Sequence, residues 1–142
     1  MIADLTKVDV YVRDLAAGLH NGAINADTDT LAVFLTNDVI DKALVAVKSD
    51  VTEIATGNGY DGPVDTHNSA ARIDGVIYVG AIDILLIGTG PGAFGPFRNA
   101  VLCNLTAPGQ PIIGYWDYGA SISVSMGEQF ALTFGDALLV VG

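Results

Sequence analysis

The chain has 142 residues, 51% of them hydrophobic, and its 16 acidic side chains against six basic ones leave a net charge of −10. One domain of this length buries about 68–70% of the surface its unfolded chain exposes, enough for a core without disulfides or metals. Cys103 is the only cysteine, which excludes an internal disulfide framework and a cysteine-based zinc site. The high apolar fraction is unlike a disordered chain, and the abundance of Ala, Val, Ile and Gly over charged residues is unlike a coiled coil.

A mean hydropathy of +0.47 raises the question of a membrane. The longest strongly apolar stretch, Ile77 to Gly88, is interrupted by Asp83 and falls far short of the ~20 residues that span a bilayer. Lys7, Arg13, Lys42, Lys48, Arg72 and Arg98 are scattered and form no dense positive footprint for a phosphate backbone, so neither nucleic acid nor a membrane is an expected partner. The start, Met-Ile-Ala-Asp-Leu-Thr, lacks the basic and apolar regions of a secretory signal, which predicts folding in a cytoplasm. The sequon Asn104-Leu105-Thr106 then reads as coincidental.

The predicted organisation is a single domain over 1–142: a flexible arm at 1–5, a helix at 6–20 and a β-rich body at 27–142. Val8, Tyr11, Val12, Leu15, Ala16 and Leu19 recur at helical spacing, with Thr6 and Asp9 as a start signal and Gly18 and Gly22 as stops. Thr30 to Thr36 reads as a buried strand flanked by the turn-forming Asp27, Asp29, Asn37 and Asp38. Residues 39–56 are ambiguous between a short helix and an irregular edge. Gly57-Asn58-Gly59-Tyr60-Asp61-Gly62-Pro63 is a turn cluster whose glycines permit positive φ.

Strands are expected at about 70–79 and 81–88, the second apolar enough to be covered on both faces. Gly88-Thr-Gly-Pro-Gly-Ala-Phe-Gly-Pro resembles a phosphate-cradling loop only superficially, since no Gly-Lys-Ser/Thr ending and no helix follow it. Short strands at Phe97–Asn104, Pro111–Tyr118, Ala120–Met126, Gln129–Phe134 and Ala137–Val141 have the spacing of a sandwich or barrel. The alternation of Ser121-Ile122-Ser123-Val124-Ser125-Met126, the Gly127-Glu128 turn and the return through Phe130, Leu132 and Phe134 predict a hairpin. The fold class is therefore mainly β: a single-domain antiparallel β-sandwich or barrel-like fold with an N-terminal α-helix.

Chemistry is sparse in this pattern. No nucleophile-elbow pattern links His20 or His67 to Cys103, and two histidines do not make a zinc site without carboxylates at a recognisable spacing. Asp65, Asp74, Asp83 and Asp117 lie on or near strands, but 14 aspartates make such placements common, and a solvated acidic surface explains them. Asp83, inside Gly80-Ala-Ile-Asp-Ile-Leu-Leu-Ile87, is expected to face out from an edge, enter a subunit contact or, by preference, pair with Arg72 or Arg98. Trp116, in Gly114-Tyr-Trp-Asp-Tyr-Gly119, reads as core or an interface anchor. No catalytic residue, metal ligand or cofactor is assigned, and the chain is not expected to be an enzyme.

Five segments in order carry a resemblance: Asp-Thr-Asp-Thr-Leu-Ala-Val-Phe-Leu-Thr at 27–36, Glu-Ile-Ala-Thr-Gly-Asn-Gly-Tyr at 53–60, Pro-Phe-Arg-Asn-Ala-Val-Leu-Cys-Asn at 96–104, Ile-Ile-Gly-Tyr-Trp-Asp-Tyr-Gly at 112–119 and Ser-Met-Gly-Glu-Gln-Phe-Ala-Leu-Thr-Phe at 125–134. With the N-terminal helix before them, they make the chain resemble small virion structural proteins of tailed bacteriophages, known as head decoration, capsid cement or head-fibre proteins. It departs from that pattern at Asp61-Gly62-Pro63 and at Cys103, where an aromatic is usual.

The resemblance implies a β-sandwich made in the bacterial host cytoplasm that, as a homotrimer, binds the phage major capsid protein on the outer surface of the virion head. Met1, Ile2, Ala3, Asp4, Leu5, Phe94, Phe97 and Trp116 are the candidate interface residues. Alternatives are a tail or head-fibre adaptor and, in a different class, a carbohydrate-binding module presenting Tyr115, Trp116 and Tyr118 as a platform.

Overall fold

A computed structural model describes residues 5–11, 29–135 and 137–141. Ten strands are β1 (Thr6–Lys7), β2 (Leu31–Thr36), β3 (Val64–Asp65), β4 (Ser69–Ile73), β5 (Val76–Gly80), β6 (Ile84–Ile87), β7 (Phe94–Asn104), β8 (Ile112–Val124), β9 (Gln129–Leu132) and β10 (Leu139–Val141). They form a five-stranded sheet ordered β1-β8-β7-β2-β3, a three-stranded sheet β10-β5-β4 and a two-stranded sheet β6-β9. All the strand pairs are antiparallel, the arrangement expected of a mainly β sandwich.

The sequence Leu-Ala-Val-Phe-Leu-Thr of β2 is buried at every position, because β7 and β3 flank it and both of its faces are covered. The Cα register runs from Leu31↔Asn104 to Thr36↔Asn99 without a break. A chain of aromatic rings extends the core toward β9. Tyr60 and Phe94 lie 6.2 Å apart, Phe94 and Phe97 stack at 6.1 Å, and Phe97 meets Phe130 edge-on at 4.9 Å. These rings bury large apolar areas and tie the 57–60 turn, β7 and β9 into one core.

Three expectations change. Thr6 and Lys7 begin no helix: they pair with Tyr115 and Gly114 at the edge of β8, and Val8 N–H continues the ladder to Ile113 O at 3.0 Å. Residues 9–11 are helical, and the rest of the 6–20 helix lies outside the described residues. Local periodicity competed here with an open sheet edge, and the edge took the first two residues.

The segment at 70–79 is a hairpin, not one strand. Asp74 (φ 50°) and Gly75 (φ 80°) make a two-residue turn between Ile73 and Val76. Positive φ at both central positions is what a type I′ turn needs, and Asp-Gly supplies it. At Gly119 the opposite occurs: β8 runs through it unbroken, its φ of 87° absorbing the bend.

The third change concerns partners. β9 pairs with β6, from Ile84↔Leu132 to Ile87↔Gln129, and not with the second half of β8. The turn at 125–128 forms, with Glu128 N–H on Ser125 O at 2.9 Å, but Gly88 enters beside it, donating to Glu128 O and accepting from Gly127 N–H. A Cβ on Gly88 would overlap Ser125 O, so only glycine lets this backbone insert and divert β9 to a new neighbour. β6 is also not covered on both faces, for reasons that bear on the functional surface.

Candidate functional site

The carboxylates explain themselves locally. Asp50 accepts from the N–H groups of Ala46 (2.9 Å) and Val47 (3.0 Å), which lowers its pKa. Asp38 accepts from Thr52, Asp41 from Ala43, and Asp65 from His67 in the same way. Asp83 is exposed and accepts from Phe134 N–H at 3.0 Å, so it faces out and caps a neighbouring segment instead of pairing with Arg72 or Arg98. Arg98 pairs with Asp117 at 3.1 Å. Short acidic side chains at turns satisfy backbone donors, which accounts for much of the acidity without a site.

The most chemically varied cluster surrounds Glu53. It receives Tyr60 Oη–H at 2.7 Å and Lys48 Nζ at 3.1 Å, while Lys48 lies 5.0 Å from the centre of the Phe34 ring. Burial, with Glu53 as a smaller contributor, pushes the Cys103 thiol up to about 12, which keeps it protonated and unreactive. The open cavity beside this cluster, about 460 Å³, is lined by Lys48, Ser49, Val51, Glu53, Gly109 and Gln110. Lys48 and Glu53 neutralise each other there, and neither histidine nor Cys103 lines the cavity beside Ser49.

His67 is exposed, with a φ of 48°, and sits 3.7 Å from Asp65. His20 lies outside the described residues. No group of three or more His, Cys, Asp or Glu side chains is arranged to hold a metal among the described residues. Asn104 of the sequon is buried, donates to Asp29 at 3.0 Å and accepts from Thr106 and Ala107 N–H, so its amide is committed to the fold.

The three aromatic residues among the predicted interface residues do not form a surface. Phe94, Phe97 and Trp116 are 1–3% exposed and belong to the core, and Trp116 packs on Phe134 at 5.6 Å. Leu5 is half-buried against Gly114, and Met1, Ile2, Ala3 and Asp4 lie outside the described residues. The carbohydrate platform also fails, since Tyr115 and Trp116 are buried and Tyr118 alone is exposed. Aromatic residues serve a core and an interface equally well by sequence, and packing decided for the core.

Val39, Leu44, Ile73 and Ile82 are exposed at separate places, and one exposed apolar pair lies on a regular strand of the two-stranded sheet. Ile84, Phe130 and Leu132 point inward, while Leu85 and Ile87 on the other face remain 55% and 42% exposed. Leu85 stands opposite Ala131 and Ile87 opposite Gln129. Met126, 63% exposed, bridges Gly88, the residue that follows β6. Gln129 and Ala131 also line a cleft of about 290 Å³ with Tyr118 and Ile122, so the exposed face runs on into a groove. A strand that alternates polar and apolar residues leaves a wet outer face, whereas Ile-Leu-Leu-Ile puts apolar residues on both faces with core behind only one. That uninterrupted run is the available signal, and by sequence it predicts coverage on both faces.

Comparison of the chain with protein-family models, curated proteins and solved structures finds no match. No helix among the described residues is long and apolar enough to cross a membrane.

Proposed function

We propose that this chain is a non-enzymatic virion structural protein, a decoration or cement protein that binds the outside of a tailed-phage head as a homotrimer and stabilises the shell. The observation that carries the reading is the apolar face of Leu85 and Ile87 leading into the Tyr118 groove, while the titratable cluster of Lys48, Glu53 and Tyr60 is engaged within itself. Exposed apolar patches of this kind mark interaction sites, and a cement protein needs a complementary surface repeated by symmetry more than it needs a pocket. The resemblance carried by the ordered segments at 27–36, 53–60, 96–104, 112–119 and 125–134 implies the class of partner, the major capsid protein. A protein that binds only the assembled, expanded shell adds its binding free energy to the stability of that state. A net charge of −10 suits an outer coat that keeps particles apart and is unsuited to contact with packaged DNA.

The test is a count of copies per purified particle of the phage that carries the gene, together with rebinding of wild type and Leu85→Asp/Ile87→Asp to particles stripped of the protein. On the order of hundreds of copies, lost in the double variant, is the expected result. A handful of copies at the tail or its connector identifies an adaptor instead. Absence from the particle overturns the proposal, and full rebinding by a folded double variant moves the interface to another face.

A further inference from the structure

Asn58 and Gly59 form the tip of a two-residue turn, closed by Gly57 N–H to Tyr60 O at 2.7 Å and Tyr60 N–H to Gly57 O at 3.1 Å. Positive φ at both residues, 56° and 114°, is the type I′ pattern that Asn-Gly favours. The same dipeptide is the one most prone to lose its side-chain amide. The Gly59 nitrogen attacks Asn58 Cγ, the Cγ–Nδ2 bond breaks, and ammonia leaves with the proton from Gly59. Water then opens the succinimide: its hydroxyl goes to one carbonyl carbon and its proton to the Gly59 nitrogen. The product is aspartate or, when the main-chain carbonyl is attacked, isoaspartate.

The attack needs the Asn58 amide to swing back over its own backbone and the Asn58 carbonyl to rotate. Both motions are held. Asn58 Nδ2 donates to Ala93 O at 3.1 Å, and Asn58 O accepts from Thr89 N–H at 2.9 Å. Gly90 packs so closely on the amide that a Cβ there would fall 2.6 Å from Asn58 Cγ, and a Cβ on Gly92 would fall 3.2 Å from Nδ2. The second glycine-rich segment thus wraps the side chain of the first.

We infer that Asn58–Gly59 is a gated deamidation site, closed while the 88–93 loop is docked and open to imide formation whenever that loop lifts. The change is one-way. A carboxylate at Asn58 presents an acceptor to the acceptor Ala93 O, and isoaspartate adds a methylene to the main chain inside a two-residue turn, so the modified loop does not redock. This inference is independent of the capsid reading.

The experiment incubates the full chain in mildly alkaline buffer, native and in urea. Peptide mapping follows the mass gain of about 1 Da at 58, separately from the Asn21–Gly22 dipeptide, and isoaspartyl methyltransferase labelling follows the isomer. The native rate at Asn58 is expected to be at least ~10-fold below the unfolded rate and to rise with sub-denaturing urea as the loop opens. Gly90→Ala and the milder Gly92→Ala raise the native rate several-fold, and Asn58→Gly keeps the turn and abolishes the mass gain there. Equal native and unfolded rates, no reaction at 58 even when unfolded, or an unchanged rate in a folded Gly92→Ala protein each overturns the inference. If Gly90→Ala fails to fold, the urea series and Gly92→Ala decide.

Discussion

Tyr60 donates its hydroxyl proton to Glu53 at 2.7 Å and accepts from the backbone N–H of Leu35 at 3.2 Å, so a side chain takes the place of a neighbouring strand along β2. Burial, reinforced by Glu53, raises the pKa of this phenol. Tyr60→Phe keeps the ring and orphans the buried Leu35 N–H, an expected cost of about 1–3 kcal/mol in urea unfolding. Glu53→Gln keeps an acceptor for Tyr60 but loses the half-exposed ion pair with Lys48, and is expected to cost about 0.5–1 kcal/mol. A Tyr60→Phe protein as stable as wild type contradicts this account.

The buried Cys103 thiol sets a pH dependence. Its pKa rises from 9.0 to about 12 on burial, so above pH 9 the unfolded chain holds fewer protons than the folded one. Stability contributed by the neutral thiol is fully present below pH 9 and is lost as pH climbs toward 12, at up to about 1.4 kcal/mol per pH unit. The raised phenols of Tyr11 and Tyr60 act in the same direction at still higher pH. Unfolding free energies across the alkaline range should fall less steeply in Cys103→Ala, and a thiol reagent at neutral pH should label the wild type only after unfolding.

Phe94 and Phe97 lie in the chain of rings from Tyr60 to Phe130, so truncating either opens a cavity. Phe94→Ala and Phe97→Ala are each expected to cost about 3–5 kcal/mol. Any loss of particle binding they show then follows from loss of folding, which circular dichroism and urea titration distinguish from a surface effect.

Leu85→Ser and Ile87→Ser make the contrasting case. Both side chains leave the protein on the solvent face of β6, so each change should move stability by no more than about 0.5 kcal/mol. Binding of a hydrophobic dye to the native protein should drop in the double variant. Substantial destabilisation would mean that the face is covered.

Gly114 admits β1 to the edge of β8, since a Cβ there would fall 2.5 Å from Thr6 O and 2.9 Å from Leu5 Cδ1. Gly114→Ala is expected to loosen β1 and to speed hydrogen exchange at the Val8 amide, which bonds Ile113 O, while β2 and β7 stay protected. An unchanged Val8 exchange rate would show that the neighbours yield without releasing the strand.

Short-range features were legible because their causes are short-range. Thr30–Thr36 reads as a buried strand from composition alone, and β2 occupies Leu31–Thr36. Asn58-Gly59 reads as a turn because few other residues accept its φ values, and the same rule at Asp74-Gly75 was available but masked by the apolar residues on both sides. The candidate site was less legible. Phe94, Phe97 and Trp116 carried the aromatic signal of an interface and went to the core, while Leu85 and Ile87 carried the signal of a covered strand and stayed on the surface.

By itself the sequence determined a β-rich, acidic chain with turns at Asn58-Gly59 and Gly127-Glu128, since pleat period and φ preference act within a few residues. Tertiary structure alone decided that β9 joins β6, that Thr6–Lys7 joins β8 and that the glycine loop closes on Asn58. Alternation fixes which face of a strand is apolar, but the hydrogen-bonding edge is the same backbone in every sequence. Its partner is chosen by which backbones can approach, and here Gly88, Gly90 and Gly114 made that choice.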